Sequence, residues 1–289
     1  MSMTQAIPIR SPLLAILLAG ALLGSAPVAA EPQQETLKLG FFPIISTVAL
    51  FKRFTPLKDY LAEQLGRPVA LETAKDFPTF VQRTAERRYD IVVTAPHFAV
   101  RASDSSMYEI RATLLNDVQQ LVVVHRDSHI QRLDELAGAQ VATPPKGALI
   151  TMMGMTHMQN AGLIGARSPN YRAFVSHNAA NEAVIGGQAD AAIASSNIVS
   201  KALERGAPLR IISQGLSLPN MATLVATDLP GSLADQVEQA LVHMRDTEAG
   251  REALKHMSFP GYRSVRAGDY GPARPYAYRS NKGHDIAAR

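Results

Sequence analysis

Short apolar segments of strand composition recur between amphipathic helical stretches from Leu37 to Met244, and this alternation constrains the fold more than any other feature of the chain. Leu37 to Phe42 alternates and stops at Pro43, and Val69 to Glu72 follows a glycine stop at Gly66. Asp90 to Thr94 is mostly apolar, as central parallel strands are. Further strands are predicted at Leu121 to Val124, Gly138 to Ala142, Phe174-Val175, Asp190 to Ala194, Leu209 to Ile212 and Met221 to Val225. Helices are predicted between them. One runs from Ser46 to Phe54 and a second is opened by Thr55-Pro56, a hydroxyl cap with proline at the first helical position. Others cover Asp76 to Arg88, Ala148 to Asn160, Asn178 to Gly186, Ile198 to Arg205 and Leu233 to Met244, with a short turn at Leu133 to Leu136.

Strands between helices imply α/β layers with mainly parallel sheets. Their order suggests two lobes, residues 31–124 with 216–289 forming the first and 125–215 the second. The tail from Gly268, rich in Pro, Tyr and Arg, has no periodicity and reads as a strap over the surface or a partly disordered end.

Residues 1–30 set the compartment. Arg10 precedes an apolar run from Leu13 to Val28, and Ala29-Ala30 supplies small residues before Glu31. That is the pattern of a cleaved secretory signal. A membrane anchor is the alternative, but Gly24, Ser25 and Pro27 cut the run short of the roughly 20 residues needed to span a bilayer. The chain has no cysteine, so it carries neither a disulfide nor a lipidation site, and core packing alone must hold it. A soluble, exported protein without a lipid anchor is expected. The net charge of +4, with Lys and Arg scattered, is too mild for a nucleic-acid grip and compatible with small anions.

Open α/β sheets bind ligands beyond the carboxyl ends of their strands. Four segments fall there. Phe42 leads to Ser46 and Thr47 at a helix start, and Thr94 leads through Pro96 to His97. Lys146, Gly147 and Ala148 join a strand to a helix, as do Ser195 and Ser196. Each combines free backbone N–H groups at a helix N-terminus with a hydroxyl, a charge or an imidazole, which suits an anion. The competing reading is that these Ser and Thr residues are ordinary helix caps. His97 fits an anion donor or a surface or capping histidine equally. Met152, Met153, Met155 and Met158 sit at core spacing, and no other ligand falls at metal spacing around His157. No P-loop, dinucleotide glycine pattern, nucleophile elbow or metalloprotease motif is present, so no catalytic residue, metal or cofactor is expected.

Gly40-Phe41-Phe42-Pro43, Phe54-Thr55-Pro56-Leu57, Tyr89-Asp90-Ile91-Val92, Ala95-Pro96-His97-Phe98, Leu133-Asp134-Glu135-Leu136-Ala137-Gly138, Asn178 to Val184 and Gly187-Gln188-Ala189-Asp190-Ala191 occur in this order. The series resembles the phosphate/phosphite/phosphonate group of periplasmic substrate-binding proteins of ABC transporters. The resemblance implies a bilobed type II periplasmic-binding-protein fold whose lobes close over a small anionic ligand. It also implies a monomer that delivers the ligand to an ABC permease in the inner membrane. Phosphonate binders of that group place a hydroxyl-rich Ser/Thr-Gly sequence at the start of the second-lobe helix. Here the place reads Pro145-Lys146-Gly147-Ala148-Leu149-Ile150-Thr151, which suits a carboxylate or another organic anion as well. An exported sensor or accessory subunit, signalling a bound ligand to a membrane partner, is the alternative role.

Overall fold

The computed structural model describes Met3 and residues 35–278, and the remaining residues lie outside the described ones. β1 (Leu37–Phe41) leads into α1 (Thr47–Leu65), β2 (Val69–Glu72), α2 (Phe77–Ala85), β3 (Ile91–Thr94), α3 (Pro96–Asp104) and β4 (Tyr108–Leu114). The chain then passes to β5 (Val118–His125), β6 (Gln140–Thr143), α4 (Leu149–Asn160), β7 (Asn170–Ala173), α5 (His177–Ile185), β8 (Ala191–Ser195), α6 (Ser196–Glu204) and β9 (Leu209–Leu218). It returns in β10 (Ala222–Ala226), α7 (Gly231–Val242), α8 (Glu248–Met257), β11 (Tyr262–Ser264) and α9 (Arg274–Ala277).

These strands form two sheets, ordered β11-β4-β10-β3-β1-β2 and β7-β6-β8-β5-β9. The α/β class stands, but each sheet is mixed. β1 pairs in parallel with β2 and β3, and β6 with β7 and β8, while β10 and β5 run antiparallel to their neighbours. The two antiparallel insertions are the strands that arrive from the other sheet. Sheet membership changes at residues 115–117 and 219–221, so Leu121 to Val124 and Leu216 to Leu218 lie wholly in the second sheet.

The helix over residues 47–65 corrects one expectation: it runs unbroken through Pro56. Proline has no N–H for the carbonyl four residues back, which normally breaks a helix. Here that carbonyl, on Lys52, accepts instead from His256 Nε2 at 3.0 Å. Leu50, Phe54, Leu57, Leu61 and Leu65 form the buried stripe, and Phe54 stacks on Phe41 with ring centroids 3.8 Å apart. Arg53 completes the α1–α8 contact by donating through Nε and Nη2 to the Met257 carbonyl, at 2.9 and 2.6 Å. Close helix–sheet contact in the second lobe needs Gly154, where a Cβ would stand 2.3 Å from Ile193 Cγ2. Met153 and Met158 are buried in the core beside it, with Met152 and Met155 packed partly against it.

One further element differs from expectation, and the tail takes the first of its two expected forms. The strand predicted at Phe174-Val175 lies earlier, at Asn170–Ala173, an edge strand whose residues are mostly exposed and carry no apolar signal. The tail packs as a strap through residue 278: Tyr270, Ala273, Tyr276 and Ala277 are buried. Tyr270 donates its hydroxyl to the Asn220 carbonyl at 2.9 Å, on the second crossing between the sheets. Asn220 Nδ2 in turn donates to the Asn116 carbonyl on the first crossing at 3.2 Å.

Candidate functional site

The topology brings the carboxyl ends of the parallel strands of both sheets to face each other. β4 runs parallel in direction to β3, because each is antiparallel to β10, so the first crossing leaves from the carboxyl end of the first sheet. It enters the second sheet at Val118, and Gln120 pairs with Ser195, the last residue of β8. β9 leaves from the same end, with Leu218 opposite Val118. Crossings over residues 115–117 and 219–221 each reach about 14 Å at most. Chain connectivity therefore holds the β1 and β3 ends close to the β6 and β8 ends.

On the first lobe, Phe42 continues β1 with its N–H bonded to the Val93 carbonyl at 3.1 Å. Its ring leads through Phe77 and Phe98 to the His97 imidazole, with successive centroid separations of 6.1, 5.9 and 3.9 Å. His97 is 3 % exposed, and neither ring nitrogen has a partner among the described residues. Burial, with a smaller push from the Arg101 charge, lowers its pKa to about 3, so the ring is neutral at ordinary pH. It is a donor without charge. Thr94 is equally buried with its hydroxyl unpartnered, and it lines a cavity between α2 and α3. Ser46 and Thr47 are exposed at the start of α1.

On the second lobe, Lys146 is exposed and makes no ion pair among the described residues, and Gly147 and Ala148 lead into α4. Thr151 is buried, and its hydroxyl is within hydrogen-bond distance of the Pro144 and Pro145 carbonyls, each at 3.1 Å. The start of α4 consequently offers backbone N–H groups and no side-chain hydroxyl. Ser195 is buried with no hydrogen bond from its hydroxyl among the described residues, whereas Ser196 Oγ accepts from the Gln119 N–H at 3.1 Å.

Capping distinguishes the helices that open on this space from those after the edge strands, although α7, which starts at the opposite end of the first sheet, also lacks a side-chain cap at Pro230. The helices after central strands β1, β3, β6 and β8 start at Ser46, Ala95, Ala148 and Ser195, and none of these caps its helix through a side chain. The helices after edge strands β2 and β7 are capped: Asp76 accepts from the Thr79 N–H at 2.8 Å, and Ser176 from the Ala179 N–H at 3.1 Å. Thr247 caps α8 in the same way, accepting from the Gly250 N–H at 3.0 Å. So Ser46 and Ser195 are not the ordinary caps their position suggests, and two helix N-termini in each lobe keep free donors.

Three polar residues of this region escape a reading of motifs. Gln120 is fully buried opposite Ser195, and both its amide atoms lack partners among the described residues. Asn116 Nδ2 donates to Asn197 Oδ1 at 2.8 Å, tying the first crossing to the first turn of α6, and Asn220 ties the two crossings together. Only strand register brings them here.

A family described as "ABC transporter, phosphonate, periplasmic substrate-binding protein" matches residues 39–270. The chain belongs to this family. It is a periplasmic substrate-binding component of an ABC transporter, a protein that binds a small ligand and delivers it to a permease, and it is not an enzyme. Solved structures share the fold at low identity. XAC2383 from Xanthomonas citri, bound to ATP, is 17 % identical over 85 % of this chain and 98 % of its own, with a TM-score of 0.72. PhnD1 from Prochlorococcus marinus, in complex with methylphosphonate, is 14 % identical over 83 % of this chain and 96 % of its own, with a TM-score of 0.71. The binding-protein component of an ABC phosphonate transporter from Pseudomonas aeruginosa is 16 % identical over 84 % and 85 %, with a TM-score of 0.67. Among the described residues no helix is long and apolar enough to cross a membrane, and the expected signal over residues 1–30 lies outside them.

Proposed function

We propose that this substrate-binding protein captures a small phosphonate-, phosphite- or phosphate-like anion between its lobes. Closure then presents the anion to an inner-membrane permease, and the binding protein acts as a soluble monomer without a lipid anchor. The observation that carries the reading is the absence of side-chain caps on all four helices that open toward the other lobe, while the helices after the edge strands are capped. Free N–H groups at helix starts carry partial positive charge and hold anions without a full cation. In this reading His97 donates from a neutral ring, Ser195 and Ser196 supply hydroxyls, and Lys146 adds a point charge at the rim. Phe42 walls the first-lobe side. Thr47 and Gly147 present backbone N–H groups, while Ala148, whose N–H is bonded to the Pro145 carbonyl at 2.9 Å, contributes position alone.

The start of α4 supports a second ligand class. With Thr151 committed to its own loop, that helix offers no hydroxyl, and bare N–H groups donate to a carboxylate as readily as to a phosphorus oxyanion. A thermal-shift series on protein freed of carried-over ligand by unfolding and refolding separates the two. Phosphate, phosphite, methylphosphonate, sulfate, acetate and common amino acids form the panel. A ligand that binds only the native state raises the midpoint. A rise with a phosphorus oxyanion supports the first class, a rise with carboxylates alone supports the second, and no rise at all refutes anion capture.

A further inference from the structure

The first lobe holds a cavity of about 290 Å³ between α2 and α3, to which the second lobe contributes no lining residue. That volume is close to the small end of ligand pockets, roughly 300 Å³, and about twice that of a dry cavity known to admit benzene, roughly 150 Å³. Its walls are mainly apolar: Phe80, Val81 and Ala85 from α2, Phe98 and Ala102 from α3. The hydroxyls of Thr84 and Ser105, also in the lining, are already bonded to the Phe80 and Ala102 carbonyls within their own helices.

Two polar groups in the lining are uncommitted. Thr94 is 1 % exposed and its Oγ1 has no partner, a costly state for a buried hydroxyl unless something enters to bond it. Arg101 is exposed and makes no ion pair or hydrogen bond among the described residues. The remaining charge, Asp104, is taken: Arg274 Nη1 and Nη2 bond its two oxygens at 2.7 and 2.9 Å, and the Tyr278 hydroxyl donates to it at 2.6 Å. An apolar chamber with a buried free hydroxyl and a free guanidinium fits a ligand with an apolar body and an anionic head.

We infer that the α2–α3 cavity is a second binding site, separate from the space between the lobes, for a small organic anion of about the size of a benzene ring bearing a carboxylate. The body sits among Phe80, Phe98 and Ala102, and the carboxylate pairs with Arg101. The site does not depend on what the interlobe space binds.

The test is a titration of the protein purified from the periplasm with benzoate, and with benzyl alcohol as the neutral counterpart, followed through methyl and amide resonances. Saturable shifts at Val81, Ala85 and Ala102 with none at Ala148 are expected. Arg101→Gln, an exposed change, should weaken benzoate roughly fivefold and leave benzyl alcohol within about twofold. Ala85→Phe, at an exposed lining position, should abolish both, with Ala102→Leu as a second blocking variant. Far-UV circular dichroism checks the fold of each. Absence of shifts in the parent protein, shifts centred on Ala148, or affinities unchanged in Ala85→Phe and Ala102→Leu would each overturn the inference.

Discussion

His97 should make the protein labile to mild acid, by an amount that its burial sets. The ring is 3 % exposed and unpartnered, and its folded-state pKa stands at about 3 against 6.5 in a solvated chain. The unfolded state therefore takes up a proton between these values that the folded state refuses. His97 contributes its full stability above pH 6.5, and that contribution is lost as the pH falls toward 3. At about 1.4 kcal/mol per pH unit, the loss between pH 7 and pH 4.5 comes to about 2.5 kcal/mol. Urea unfolding of the parent and of His97→Gln at both pH values isolates the effect. Other titrating groups contribute equally to the two proteins, and the constant cost of the buried amide cancels in the difference between pH values. The parent should lose about 2.5 kcal/mol more than the variant over that interval. Equal losses would mean that His97 is solvated or charge-paired, and the neutral-donor role would fall with it.

Other expectations follow from single contacts. Lys146→Ala should weaken an anionic ligand about three- to tenfold, roughly 1 kcal/mol, without moving the thermal midpoint of the ligand-free protein; unchanged affinity removes Lys146 from the site. His256→Ala should cost about 1 kcal/mol by leaving the Lys52 carbonyl unpaired, and less than that on a Pro56→Ala background, where residue 56 regains an N–H for that carbonyl. A cost that is the same on both backgrounds would contradict the account of why α1 passes through a proline. Tyr270→Phe removes the bond from the tail to the second crossing and should lower stability by about 1 kcal/mol while changing ligand affinity, because the proposed closure of the lobes moves the crossings. A stability loss with affinity intact would leave the strap a packing element alone.

Local rules made much of the fold legible. Gly66 ends α1 in the left-handed conformation, with φ at 61°, and Asp76 caps α2, both signals written within a few residues. The reading failed where a distant partner decides. Thr55-Pro56 carries the chemistry of a helix start, but His256, remote in sequence, satisfies the carbonyl that the proline leaves free. The Asn170–Ala173 strand escaped because an exposed edge needs no apolar alternation. β4 went unread although Tyr108, Ile110, Ala112 and Leu114 alternate inward, and so did α8, whose polar first turn hides a stripe of Ala253, Leu254 and Met257.

The candidate site divides along the same line. Strand ends followed by helix starts can be read from periodicity, so Phe42, His97, Lys146 and Ser195 were reachable. Whether Ser195 caps its helix, or whether Thr151 turns to its own loop, depends on side-chain rotamers that no spacing encodes. Gln120, Asn116 and Asn220 gain their positions from the register of β5 on β8 and from two short crossings, relations between segments far apart in the chain.

Backbone amide shifts of the refolded, ligand-free protein on saturation with a phosphorus oxyanion test the central claim most directly. If uncapped helix starts hold the anion, the N–H resonances of Val48, His97, Ile150 and Asn197 move downfield together with one dissociation constant. Those of Thr79 and Ala179, already bonded to Asp76 and Ser176, stay in place. Shifts confined to other residues, or capped and uncapped starts moving alike, would contradict the account.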